Sequence, residues 1–115
     1  MKKINFNVTL KDAFGKEVME KPARSSEEKE VPAVPVRVDV SLVNIIAHPA
    51  SIPEGATLTG MQVLERFNLQ QKIASGTEQE YSPEELTLIR EIVTSLFNKK
   101  MLGIELAGTI YKMAE

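Results

Sequence analysis

The acid-rich stretch "EYSPEELTLIREIV", residues 80–93, is the part of the chain that most looks like half of a calcium site. A calcium loop of the EF-hand type needs about a dozen residues with oxygen ligands at alternating positions, a central glycine and a final glutamate. The preceding "SGTEQEY" supplies Glu78 and Glu80 without that pattern, and "NKKMLG" beyond the helix is cationic and apolar. We therefore expect no metal here and interpret Ser82–Glu85 as a helix cap.

His48, the only histidine, stands in "NIIAHPAS" without an obvious chemical partner. The nearest acids, Asp39 and Glu54, lack the i, i+4 spacing that places two ligands side by side. A dyad with a serine is the alternative, although no serine lies in a Gly-x-Ser-x-Gly elbow. Phosphate-binding glycine loops are also absent from the sequence. We expect His48 to end a helix and contact its last carbonyls. We expect no catalytic or cofactor-binding residue, and thus no enzyme.

The charge distribution argues against nucleic acid as a partner. The formal net charge is −2, whereas phosphate binders usually carry a basic excess. A helix-turn-helix built from 59–74 and 83–98 would have too long a connection, and that connection carries Glu78 and Glu80. "VRVDVSLVNII" resembles the start of a ribbon-helix-helix unit, but Pro49 cuts its helix short.

The composition predicts a small intracellular protein. A chain of 115 residues with 43% hydrophobic content suits one domain, 1–115, with one modest core. The absence of cysteine excludes disulfides, zinc–thiolate sites and thiol nucleophiles, and favours a reducing cytoplasmic setting. "MKKINFNVTL" lacks the apolar run of a signal peptide, and no segment has the ~20 apolar residues that span a bilayer.

Two segments alternate apolar and polar residues with the period of a half-buried strand, namely 2–10 and 34–40. "KDAFGKEV" between them predicts a turn around Asp12 and Gly15, and 16–19 is a possible return strand. The polar, proline-containing segment 20–33 predicts an exposed loop or insertion.

Four helices are predicted from apolar spacing and end signals. Ser41 should cap a first helix that ends before Pro49. A second, from Thr57 or Thr59 to Ala74, carries an apolar stripe and stops at Gly76. The stripe predicted to be buried consists of Met61, Leu64 and Phe67, with Val63 and Ile73 beside it.

The third and fourth helices follow directly. The third, 83–98, has a capping box of Ser82 with Glu85 and a hydrophobic staple of Tyr81 with Leu86. Its apolar stripe comprises Ile89, Ile92, Val93, Leu96 and Phe97. The fourth spans about 102–114. Together these elements predict an α+β fold, with a small antiparallel sheet of two to three strands at the N-terminal side covered by about four helices.

The layout resembles small proteins encoded in tailed-phage genomes. The opening "MKKINFNVTLKDAFGKEV" is similar to the hairpin at their start, and "VSLVNIIAHPA" to their short capped helix. "NLQQKIASGTEQEYSPEELTLIREIV" and "LGIELAGTIYKMAE" match their later helices in character. The resemblance implies a phage-like origin and an interaction role in the host cytoplasm or the virion. It assigns no catalytic residue.

The last helix carries the candidate interaction surface: Gly103, Ala107, Gly108 and Tyr111. Glycine inside a helix costs about 1 kcal/mol relative to alanine, so Gly108 suggests that another backbone approaches, either within the fold or between subunits. We therefore expect a non-catalytic structural or assembly protein that acts through protein–protein contacts, with an oligomer as one form that such contacts allow. The alternative is a small binding protein that modulates or inhibits a host or phage factor. No membrane, metal or cofactor is expected.

Overall fold

The computed structural model describes residues 1–20, 34–52 and 55–115. The described residues form an α+β fold with four α-helices, as predicted. The elements, in chain order, are β1 (Lys2–Ile4), β2 (Met19–Glu20), β3 (Val34–Pro35), α1 (Val38–Ala47), a 3₁₀ turn (Pro49–Ser51), α2 (Gly60–Ala74), β4 (Gln79–Tyr81), α3 (Pro83–Asn98) and α4 (Ile104–Met113). Glu20, the first residue of the loop predicted over 20–33, belongs to β2, and the rest of that segment lies outside the described residues.

The strands are divided between two antiparallel pairs. β1 pairs with β4, with Lys2 opposite Tyr81, and β2 pairs with β3. A ring of three backbone hydrogen bonds lies beside the second pair. Leu10 N–H donates to Val36 (2.7 Å), Val36 N–H to Val18 (2.9 Å), and Val18 N–H to Leu10 (2.8 Å). Of the segment predicted as a strand, 2–10, only Lys2–Ile4 forms a regular strand. The rest of the segment is joined to its neighbours by isolated backbone pairings.

The strand predicted over 34–40 is wrong in its second half, because α1 already begins at Val38. Val36 and Val38 are buried, but Val40 is 50% exposed, and the helix follows Arg37 instead of Ser41. The buried Asp39 carboxylate explains the early start. It accepts the N–H of Val40 (2.9 Å) and pairs with the Arg37 guanidinium (2.7 Å), and an acid in the first turn favours the helix dipole.

The helices meet around α1, which contacts α2, α3 and α4. The buried apolar residues of α1 follow a helical period, and they are Val38, Leu42, Ile45 and Ile46. α3 contributes the buried stripe Ile89, Ile92, Val93 and Leu96, and α4 contributes Ala107 and Ile110. The predicted stripe of α3 is therefore confirmed except at Phe97, which is exposed.

The cap of α3 is formed as predicted. Ser82 Oγ accepts the N–H of Glu85 at 3.2 Å, and a Glu85 carboxylate oxygen accepts the N–H of Ser82 at 3.0 Å. Tyr81 and Leu86, the predicted staple residues, are both buried. The same carboxylate receives two hydrogen bonds from the Lys72 ammonium at 3.0 Å, which ties the end of α2 to the start of α3.

Tyr81 is enclosed by these elements. The Phe6 ring meets it edge to face at a centroid distance of 5.4 Å, and Lys72 Nζ lies 5.0 Å from its ring centre. Burial and, secondarily, the Glu85 carboxylate raise the pKa of Tyr81 to about 12. Its hydroxyl is buried and finds no hydrogen-bond partner within the described part of the chain.

α2 has the predicted bounds but the opposite orientation. Its N-cap is Thr59, in a full capping box with Gln62, and Gly76 beyond its end has a φ of +70°. The stripe predicted to be buried (Met61, Leu64, Phe67) is exposed, as is Val63, and the buried residues are Leu69 and Ile73. Polar side chains on the inner side explain this. Arg66 donates to Ser51 Oγ (2.9 Å) and Gln70 to the Val43 carbonyl (2.9 Å).

His48 ends α1 as predicted, but its ring has a different role. Its Nδ1 accepts the N–H of Ala50 at 3.0 Å, which caps the 3₁₀ turn, instead of contacting the last carbonyls of α1. Lys99, the C-cap residue of α3, donates from its Nζ to the Ala50 carbonyl at 2.8 Å. Both side chains therefore fix the turn that follows α1.

Glu85→Gln should make stability depend less on pH. Burial raises the pKa of Glu85, but hydrogen bonds from the Ser82 N–H and from Lys72, together with the positive charge of Lys72, outweigh burial and hold the pKa below its usual value. The stabilisation by this carboxylate is therefore complete above the unfolded-state pKa and disappears as the pH falls through the lowered folded-state pKa. We expect Glu85→Gln to lower the free energy of unfolding by roughly 0.5–1 kcal/mol at neutral pH.

Urea denaturation of both proteins from neutral to acidic pH measures this difference, which should close at low pH. Glu84→Gln, in the same turn but exposed, is the matched control and should change stability less. A difference that persists in acid would assign the effect of Glu85→Gln to packing and not to charge.

Tyr81→Phe should leave the free energy of unfolding unchanged or raise it by about 1 kcal/mol, because it removes a buried hydroxyl without a partner. Denaturation in urea checks the change. Tyr81→Ala, which removes the ring as well, should cost about 3–5 kcal/mol, as for other buried aromatic residues. A clear loss in Tyr81→Phe would reveal a partner for the hydroxyl, such as a bound water.

Candidate functional site

Among residues 1–20, 34–52 and 55–115, no three or more acidic or histidine side chains are grouped so that they could hold a metal ion. None of the helices in the same part of the chain has the length and apolar character to cross a membrane. An apolar depression lies between the last two helices.

This feature, the α3–α4 groove, has a volume of about 250 Å³. Its lining residues are Val93, Thr94 and Phe97 from α3 and Ile104, Ala107, Gly108 and Tyr111 from α4. Val93 and Ala107 are buried, whereas Ile104 is 73%, Tyr111 46% and Phe97 39% exposed. The groove therefore has a buried aliphatic base and a rim of large apolar side chains that face water.

The local sequence explains the walls. Val93 and Phe97 are four residues apart on α3, and Ile104, Gly108 and Tyr111 follow one another at intervals of four and three on α4, so each set shares a helix face. One wall thus comes from each helix, and the small residues Ala107 and Gly108 leave space between the walls.

A tight reversal brings the walls together. Met101 N–H donates to the Leu96 carbonyl (3.0 Å) and Lys100 N–H to the Phe97 carbonyl (2.9 Å), the hydrogen-bond pattern of a Schellman motif. Lys100 has a φ of +61°, the left-handed conformation that this motif requires. The chain then enters α4 only three residues after Lys100, at Gly103, its N-cap.

The far end of α4 is held by one contact from α3 and one from β1. The Arg90 guanidinium donates to the Ala114 carbonyl, and Lys2 Nζ donates to the Glu115 carbonyl at 3.0 Å. Because α4 is attached at both ends, the spacing between its outer face and α3 is fixed by the fold and does not depend on a bound partner.

Three of the four predicted surface residues, Ala107, Gly108 and Tyr111, lie together in the groove. Gly103 does not line it, and a Cβ atom there would meet only Glu105 Oε2, at 3.6 Å. The described part of the chain does not provide the close backbone approach that Gly108 suggested, and an approach between subunits stays a prediction. Among the described residues, nothing outside its own helical turns lies within 4 Å of the position that a Cβ would take.

The sequence analysis missed Phe97 and Ile104 as surface residues. Phe97 was assigned to the buried stripe of α3, although Leu96 beside it already occupies the core face. Adjacency was no signal of exposure, because Ile92 and Val93 on the same helix are also adjacent and both are buried. Ile104 carried no signal either, because its exposure depends on how α4 packs.

Two other apolar surfaces are exposed. One is the outer face of α2, formed by Met61, Val63, Leu64 and Phe67. The other is Phe14, which is 90% exposed at the tip of the turn formed by residues 12–16. That turn coincides with the predicted one, but the sequence analysis assigned no role to Phe14.

Gly108→Ala should raise the free energy of unfolding of the isolated chain by up to about 1 kcal/mol. The reason is that alanine favours the helix and a methyl group has open space at this position. A close contact at this position would instead make the same substitution lower the free energy of unfolding. Chemical denaturation at low protein concentration measures it, with Ala107→Gly as the converse variant that should destabilise. A loss of stability in Gly108→Ala would place another backbone against the helix.

Comparison with family models, curated proteins and solved structures finds no match to this chain. What the groove can do therefore follows from its own chemistry, which suits an apolar side chain and offers neither charge nor metal ligands to a substrate.

Proposed function

We propose that this protein is a non-catalytic structural or assembly protein that acts through protein–protein contacts, and that the α3–α4 groove is its contact surface. The observation that carries the proposal is the exposure of Ile104, Tyr111 and Phe97 around a preformed apolar depression. Burying apolar area gains about 25 cal/mol per Å², so a partner that covers this rim would bind favourably.

The groove has the features of an interface centre. Contact energy in protein interfaces concentrates on a few residues, and tyrosine is enriched among them. The attachment of α4 at both ends means that a partner would meet walls already in position, which lowers the entropic cost of binding. Exposed apolar patches rimmed by polar residues mark interaction sites in other soluble proteins.

The resemblance to small tailed-phage proteins supports this reading and adds that the partner belongs to a virion or to the host cytoplasm. The same groove would also serve a small binding protein that modulates a host or phage factor. The identity of the molecule in the groove separates the two roles, because an assembly protein meets copies of itself or of other assembly components.

Site-specific photo-crosslinking tests the proposal. A photoreactive phenylalanine analogue replaces Tyr111 in one variant and Lys112 in the matched control, which is exposed on the same helix but does not line the groove. After illumination in the native cell, we expect protein adducts several-fold more abundant from position 111. Adding Gly108→Leu, which fills the groove, should suppress them.

The mass of the adduct then assigns the role. A self-adduct, or an adduct with a structural component, supports assembly, and an adduct with an unrelated factor supports modulation. Equal yields from positions 111 and 112, or no adduct from position 111, would show that the groove is not a contact surface.

A further inference from the structure

Phe14 is the most exposed of the six aromatic residues of the chain. Phe6 and Tyr81 are buried, and the other three, Phe67, Phe97 and Tyr111, are about half exposed, whereas Phe14 is 90% exposed. Such exposure of a phenylalanine forfeits the stabilisation that burial would bring, so the fold gains nothing from this ring.

The turn that carries Phe14 is firmly built. One Asp12 carboxylate oxygen accepts the N–H of Phe14 (2.9 Å) and of Lys16 (3.1 Å). Gly15 N–H donates to the Asp12 carbonyl (3.0 Å), and Asp12 N–H donates to the Lys16 carbonyl (2.8 Å). Gly15 supplies the required positive φ, +80°. The ring is therefore held outward on an ordered turn, as a preorganised anchor would be.

The α3–α4 groove has the size for this ring. A cavity of ~150 Å³ holds benzene in another protein, and the groove measures about 250 Å³ with an open side. Phe97 and Tyr111 on its rim offer ring edges and faces, which favour an aromatic guest. The outer face of α2, with four side chains along a helix, is too broad for a space of this size.

We propose that Phe14 of one copy inserts into the α3–α4 groove of a second copy. The occupant is a second copy because each chain carries one protruding aromatic and one groove of matching size, and no described residue covers either of them. The contact joins two different surfaces and is therefore heterologous, so repeating it builds a ring or an open chain of subunits. This inference deepens the proposed function and rests on it.

The expected affinity is modest. A buried phenylalanine covers about 150–250 Å², well below the ~800 Å² per partner of a standard interface. Association should therefore be weak and reversible and should become measurable as the concentration approaches the millimolar range, because binding must also offset the lost translational and rotational freedom. Sedimentation equilibrium on the full chain measures it.

Two variants separate the two halves of the contact. Phe14→Ser removes the ring and keeps the groove, and Gly108→Leu fills the groove and keeps the ring, at a position with open space. Each variant alone should be monomeric at concentrations where the wild type associates. Their equimolar mixture should form dimers that grow no further, because only one ring and one groove in each pair are intact. Phe67→Ser, at another exposed phenylalanine, is the control and should associate like the wild type.

A wild type that stays monomeric over the whole range would overturn the inference, but not the proposed function, which the crosslink at position 111 tests without self-association. If Gly108→Leu abolishes association and Phe14→Ser does not, the groove is an interface and the assignment of Phe14 is wrong. If neither variant affects association and Leu64→Glu abolishes it, the contact lies on the outer face of α2 and the inference fails.

Discussion

The enclosure of Tyr81 is the interaction on which the rest of the structure depends. Its ring lies at the junction of β4 and α3, contacts Phe6 near β1, and lies beneath the Lys72 ammonium near the end of α2. Lys72 also donates to the Glu80 carbonyl and to Glu85, so one cation joins the ring, the strand and the helix cap. The residues of this cluster come from parts of the chain that are far apart in sequence. The cluster therefore fixes the direction in which α3 leaves β4.

The position of α4, and with it the groove, follows from that direction. α3 runs from its cap at Ser82 to the reversal at Lys100. After this reversal the chain forms α4, which packs alongside α3. Arg90 and Lys2 then hold the end of α4 close to β1. The walls of the groove are thus set by contacts at its two ends, and its empty middle comes from Ala107 and Gly108. A Cβ atom at position 108 would have open space around it.

The sequence predicted best what local chemistry determines. The capping box of Ser82 with Glu85 and the stop at Gly76 need only neighbouring residues, and both are found at the predicted positions. The pairing of "QEY" with β1 was missed, because a polar strand of three residues has no signal apart from its distant partner. The valines of 34–40 fit a period of two, but Val38, Leu42 and Ile45 also fit a helix, and only the contact of Asp39 with Arg37 decides where the helix begins.

The candidate surface was predictable only in part for the same reason. Small residues on α4 indicated the region of the groove, because a gap in side-chain volume is visible in sequence. The opposite wall, at Phe97, could not be predicted, because a stripe of apolar residues does not reveal which of them lie at its edge. α2 shows the limit most clearly. The helical period of its apolar residues was predicted correctly, but a period defines two opposite faces and does not show which of them faces the core.

The outward orientation of the apolar face of α2 has a physical basis that bears on function. The inner side of α2 is polar at Arg66 and Gln70, and each of these groups finds a partner in the body of the protein. Burying polar groups costs little when they are hydrogen-bonded, so the fold can place apolar residues outward. Phe14, the groove rim and the outer face of α2 are then three separate apolar surfaces that the described part of the chain leaves open to water. The proposed contact of Phe14 with the groove would use two of them and leave the third for a different partner. On that proposal, the chain would be able to join copies of itself and to attach to something else at the same time.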